Sequence, residues 1–220
     1  MQNDDTRTLN TGDDDGKAAV AEPAAAPVRK RPKPGERRVQ ILQALAAMLE
    51  QPGAERVTTA ALAARLDVSE AALYRHFASK AQMFEGLIDF IEQSVFSLIH
   101  QITERDEPGR EQASRIVAML VQFAEKNPGM TRVMVGDALV FENERLQQRM
   151  NLFFDKFEAA LRQALRGVAS QEGSATPTVD AQVRAATLTA FVVGHLQRFA
   201  RSGFKRLPSE HLEAGIALML

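Results

Sequence analysis

Residues 58–84 read TTAALAARLDVSEAALYRHFASKAQMF, and this stretch decides the fold. Thr58 or Thr59 can cap a helix of about two turns that runs into Arg65-Leu66. Leu66-Asp67-Val68 then makes a tight turn, and Ser69 caps a second short helix through Tyr74 and Phe77. Two short helices joined by such a turn, behind a longer first helix, form a helix-turn-helix. The longer helix is supplied upstream by VQILQALAAMLE, with Val39, Leu42, Ala46 and Leu49 at three- and four-residue spacing. Ala61, Leu62, Leu66, Val68, Leu73 and Phe77 are expected to pack against Ile41, Leu45 and Leu49.

The outward positions of the second short helix then carry the chemistry. Its early residues are Ser69, Glu70 and Ala71, and its end shows Tyr74, Arg75 and His76. A recognition helix places its early residues at base edges in the major groove. Hydroxyl and cationic groups around it fix the register on phosphates. Tyr74, the single tyrosine of the chain, can lay its ring on the sugar-phosphate wall and donate its hydroxyl to a phosphate. Arg75 and His76 can reach backbone or base edges. Thr59 and Lys80, each at the start of a helix, can add phosphate contacts. Taken singly, a lone Tyr is more often a packing residue, and Arg75 and Lys80 more often plain surface charges. Their concentration on one two-helix unit changes that balance.

Charge supports the same reading. Residues 1–28 hold six acids and two bases, a balance of −4; residues 29–80 hold ten bases and five acids, +5; the remainder holds fifteen bases and seventeen acids, −2. A short positive block suits a polyanion, although from charge alone a solvated charged surface is the better bet. The first 28 residues have almost no large apolar side chain and are expected to be a disordered acidic tail. VRKRPKPGERR, from Val28, reads as a basic arm, so that 1–35 precede the folded protein.

With 45% apolar and 25% charged residues the chain reads as a soluble globular protein. The absence of cysteine excludes disulfides, thiol nucleophiles and Cys-based zinc sites. No apolar run approaches the ~18 residues of a membrane span, and no signal peptide is visible, so a cytoplasmic location is expected. His76, His100, His195 and His211 stand in no metal-binding spacing, and no Gly-rich phosphate loop occurs, so neither an enzyme nor a cofactor is expected.

The rest of the chain is read as helix, giving an all-α protein. Helices are expected at about 79–104, 110–126, 130–135, 140–168, 178–202 and after Pro208. In the first of these, Phe84, Leu87, Ile88, Ile91, Val95, Leu98, Ile99 and Ile102 fall on one stripe, opposite Glu85, Asp89, Glu92 and His100. Phe90 lies about 110° off that stripe at about 100° per residue, among Met83, Gly86, Ser94 and Ser97. A ring among small side chains makes a shallow apolar groove for a partner peptide, or it packs on the next helix. The helix at 140–168 has Leu146, Met150, Phe153, Phe157, Leu161 and Leu165 on one seam. The seam fits coiled-coil spacing but is expected to be internal packing. Ala185, Ala186, Thr189, Ala190, Val193 and Gly194 would let the helix at 178–202 approach a second copy closely, making a homodimer.

Residues 36–84 resemble the DNA-binding segment of the TetR family, which shows a Thr at the start of the second helix and a Tyr-x-His/Tyr-Phe-x-x-Lys run. Asp67 stands where that family commonly has Gly, and Asp tolerates the left-handed conformation. The resemblance implies an all-helical TetR-like homodimer, with a helix-turn-helix domain at 36–82 and a helical body at 83–220. FAEKNPGMTRVMVGDALVFENERLQQRMNLFFDKFEAALRQALR, Phe123 to Arg166, and RFARSGFKRLP, Arg198 to Pro208, are similar to the nucleoid-occlusion members of the family. Such proteins sit on double-stranded DNA at dispersed chromosomal sites and antagonise polymers of the division protein FtsZ. By that resemblance, a groove for the FtsZ tail would be faced by Phe90, Ser94, Met119, Gln122, Lys126 and Asn127. Phe90 and Asn127 match the residue types associated with that groove; Leu98 and Gln122 depart from them. The rival within the same fold is a ligand-responsive repressor, which needs a hollow body.

Overall fold

The computed structural model describes residues 35–51 and 57–220. The acidic tail and all but the end of the basic arm lie outside the described residues. Helix α1 (Glu36–Leu49) follows Gly35, whose φ of 88° turns the chain into it. Helix α2 (Thr59–Arg65) is capped by the Thr58 hydroxyl, which accepts from the Ala61 amide at 3.2 Å. Asp67 takes the left-handed conformation, φ 53°, as the turn requires. Helix α3 (Glu70–Tyr74) and helix α4 (Lys80–Thr103) are capped in the same manner by Ser69 and Ser79, each at 3.2 Å. The described residues form helices and turns only, as the apolar periodicity implies.

The three-helix core holds Ile41, Leu45, Leu49, Leu62, Leu73 and Phe77, all at most 1% exposed. Leu66 and Val68 pack on its margin. Ala61 is exposed, and Ala63 takes its place inside, because the helix turns one step further than the spacing alone indicates.

Helix α5 (Gly109–Lys126) packs back along α4, and Pro128 starts helix α6 (Pro128–Met134) at once. Gly136, φ 84°, then turns the chain into a 3-10 turn at Asp137–Leu139. Helix α7 (Glu144–Gln171) therefore begins four residues later than position 140, capped by Asn143. Its apolar seam is internal packing: Leu146, Met150, Phe153, Phe157, Leu161 and Leu165 are buried against α4, α5 and helix α8 (Pro177–Arg201). In the body the Phe153 ring meets Phe96 tilted at 5.4 Å and Phe154 edge to face at 5.1 Å between ring centres. Helix α9 (Leu212–Met219) starts past a turn in which His211 is left-handed, φ 59°.

Two close crossings fix the arrangement. A Cβ on Gly129 would strike the Ala46 carbonyl, so α6 lies directly on α1. A Cβ on Gly109 would strike the Ala164 carbonyl, so α5 lies directly on α7. The helix-turn-helix therefore shares one continuous core with the body.

The apolar stripe of α4 is buried as expected, except that Leu98 is 39% exposed. Met83 differs more. Helical spacing puts it on the open flank beside Phe90, yet it is fully buried. At its first turns α4 is covered on a second side, where a Cβ on Gly86 would sit 3.1 Å from Leu42 and 3.4 Å from Phe77. A single-stripe reading cannot see a helix enclosed from two directions.

The polar face of α4 is bound to α7. Arg145 meets Glu85 at 2.6 Å, and Arg149 meets both Asp89 and Glu92 at 2.6 Å. The Glu92 hydrogen bond, above all, raises the Arg149 guanidinium above its already high ordinary pKa.

Candidate nucleic-acid and partner interfaces

The recognition helix is anchored by Leu73 and Phe77, which leaves its other faces to solvent. Ser69, Glu70, Ala71, Arg75 and His76 are exposed, and Tyr74 is 45% exposed. The Ser69 oxygen accepts from Ala72, so its hydroxyl proton remains free to donate to a phosphate. The Thr59 hydroxyl donates to Glu70 at 2.6 Å and joins the starts of α2 and α3. For Thr59 to donate to a phosphate, that proton must leave Glu70.

Lys80 is placed differently from the rest. Its side chain is 26% exposed, and its ammonium pairs with Glu142, 62 residues onward. It also lies 5.7 Å from the centre of the Phe84 ring. The phosphate contact expected of Lys80 thus starts from a cation that already has an anion.

Arg38 was not singled out by sequence, where it merged with the basic arm. It lies in the first turns of α1, and its guanidinium donates to the His76 carbonyl and sits 4.1 Å over the Phe77 ring. It closes the open end of α3 and adds a cation beside Tyr74, Arg75 and His76. Its signal was present in the Arg37-Arg38 pair just before the apolar periodicity begins.

A second surface lies along α4 and α5. Phe90 is 47% exposed, a large ring held in water on a helix whose other face is fully buried. Ser94, Met119 and Asn127 are half-buried, while Gln122 and Lys126 are exposed. Asn127 donates through Nδ2 to the Phe123 carbonyl at 2.8 Å, closing α5 before Pro128. This capping needs no partner.

His195 is half-buried, and its Nδ1 lies 3.0 Å from the Pro208 carbonyl, which can only accept; Nδ1 therefore carries the proton. No cluster of three or more metal-ligating side chains occurs among the described residues. None of their helices is long and apolar enough to cross a membrane.

Residues 41–87 match the family of bacterial regulatory proteins, tetR family, and residues 111–220 match the SlmA-like, tetracyclin repressor-like C-terminal domain. The chain is 50% identical over 188 residues to the nucleoid occlusion factor SlmA of Vibrio vulnificus, covering 85% of this chain and 95% of that one. The chain belongs to the SlmA branch of the TetR family. SlmA of Aliivibrio fischeri is 49% identical over 189 residues, covering 86% and 96% of the two chains. The fold of this TetR-family member is shared with the TetR regulator PfmR of Thermus thermophilus, at a TM-score of 0.68 and 22% identity over 82% of this chain and 97% of that one. It is shared equally with the fatty acid degradation regulator FadR of Bacillus halodurans, TM-score 0.68 and 15% identity over 86% and 97%. At such identities the regulators speak for the fold alone. Identity to the SlmA proteins over most of both chains places this TetR-family protein among the DNA-binding nucleoid occlusion factors.

Proposed function

We propose that the protein binds chromosomal DNA as a homodimer and, while bound, disrupts FtsZ polymers near the nucleoid. On this reading the recognition helices of two copies enter successive major grooves. Ser69, Glu70 and Ala71 face base edges, and Thr59, Tyr74, Arg75, His76 and Lys80 hold the phosphate wall, with Arg38 as a brace. The protein acts by binding, without catalysis, from a cytoplasmic, nucleoid-associated position.

The half-exposed ring of Phe90 is the observation that carries the partner assignment. Phe90 and Met119 would receive the apolar part of an FtsZ peptide, Ser94, Gln122 and Asn127 its main-chain groups, and Lys126 an acid. Dimerisation is supported by the outer face of α8, where Val179 and Val183 are each 58% exposed and Ala190 is open. Ala185 and Thr189, expected on that face, are instead buried within their own chain.

The test is co-sedimentation of FtsZ polymers with and without a duplex that the protein retards. Loss of polymer that is greater with DNA is expected. Polymers unaffected in both conditions would overturn the reading and favour the ligand-responsive repressor.

A further inference from the structure

We propose that Glu142 restrains the charge Lys80 offers to DNA, so that DNA at the start of α4 is sensed by the segment 137–143 of the body. The inference rests on the proposed phosphate contact of Lys80.

Lys80 is the first residue of α4, three residues past the buried Phe77 that ends the recognition segment. The anion it holds, Glu142, lies 62 residues further along the chain, in the body. The Glu142 side chain is only 10% exposed. A carboxylate so enclosed is costly to leave without its cation. An ammonium carries three donors, so it can hold Glu142 and a phosphate together, but the two anions then repel one another. DNA affinity is thereby reduced by Glu142, and the position of Glu142 is in turn altered by DNA. Linkage requires both effects together.

The surrounding structure confines the response to a small tip. Ala138 and Leu139 are buried and fix one side of the segment. On the other, Asn143 caps α7, and Arg145 and Arg149 bind Glu85, Asp89 and Glu92 of α4. Between these anchors Val140 and Phe141 are 69% and 68% exposed, with little packing to resist movement. Glu142 is held at its amide, which donates to the Leu139 carbonyl at 3.0 Å, and at its carboxylate, whose partner is Lys80.

The experiment uses Glu142→Gln, which keeps the shape and a hydrogen-bond acceptor but removes the charge, and Phe141→Trp, which reports the tip in a chain that has no tryptophan. Binding is measured on a genomic duplex that the unsubstituted chain retards. Removing one nearby anion should tighten binding about fivefold and steepen the slope of log K against log salt by up to about 0.9. Lys80→Met should abolish the difference that Glu142→Gln makes. Emission from Phe141→Trp should shift as the duplex is added, and the shift should shrink when Glu142→Gln is also present. Equal or weaker binding by Glu142→Gln at an unchanged slope overturns the proposal, as does an unmoved emission on a retarded duplex. If the unsubstituted chain retards no duplex, the DNA-binding reading itself falls. If it does retard one, only the coupling is at stake.

Discussion

Gly129→Ala tests the packing that seats the helix-turn-helix on the body. The added Cβ would meet the main-chain carbonyl of Ala46 and come within 3.3 Å of the Glu50 side chain. Glu50 can swing away, but a carbonyl inside α1 cannot. Helices α1 and α6 must therefore separate, which loosens the core in which Leu45, Leu49 and Val133 are buried. Overpacking of this kind costs about 1–3 kcal/mol. At about 2–4 °C per kcal/mol for a chain of this size, the melting temperature should fall by about 2–12 °C. The comparison is Gly167→Ala in α7, where a Cβ meets nothing within 4 Å. There the gain in helix propensity should raise stability by about 0.5–1 kcal/mol. Thermal melts at one fixed protein concentration measure both. If Gly129→Ala melts with the unsubstituted chain, or if the two substitutions act alike, the close crossing of α1 and α6 is wrong.

Other consequences can be checked beside it. Tyr74→Ala should weaken DNA binding roughly 5–30-fold, the loss of about 1–2 kcal/mol, with little change in melting because the ring is half in solvent; unchanged DNA binding would remove Tyr74 from the interface. Phe90→Ala should leave DNA binding intact and reduce FtsZ antagonism; normal antagonism in sedimentation would return Phe90 to the ordinary surface. Glu172 is held below the usual carboxylate range, first by the Arg184 hydrogen bond and then by that of Arg110. Its contribution is present above the unfolded value of about 4.3 and lost as pH falls through the lowered folded value. Glu172→Gln should therefore be less stable than the unsubstituted chain at pH 7, and the urea melts should converge as pH falls below the unfolded value and through the lowered folded one.

The DNA-binding unit was legible because its signals are local. Thr58, Ser69 and Ser79 announce three helix starts, and Asp67 tolerates the turn that separates two of them. Apolar spacing likewise placed the seam of α7 and most of the stripe of α4. What escaped notice depends on parts of the chain far apart in sequence. Met83 is buried because α4 is covered from two sides, while periodicity registers one. The partner of Lys80 lies 62 residues away, in a segment that the apolar pattern assigns to the first turn of the helix expected at 140–168. Arg38 joins α1 to the end of α3 across 38 residues. The start of α7 was misplaced because Gly136 inserts a left-handed turn before an apolar pattern that already resembles helix. For the partner groove, sequence places Phe90 off the stripe with Ser94 near it, and the exposure of Phe90 agrees, but only resemblance named Met119, Gln122, Lys126 and Asn127.

The most direct measurement is the affinity for a retarded genomic duplex across a salt series, made with the unsubstituted chain and with Arg75→Ala. Affinity should fall steeply with salt, and the slope should be shallower by about 0.9 once Arg75 is gone. A flat response, or an identical slope for the two proteins, would contradict a recognition helix that docks through this exposed face.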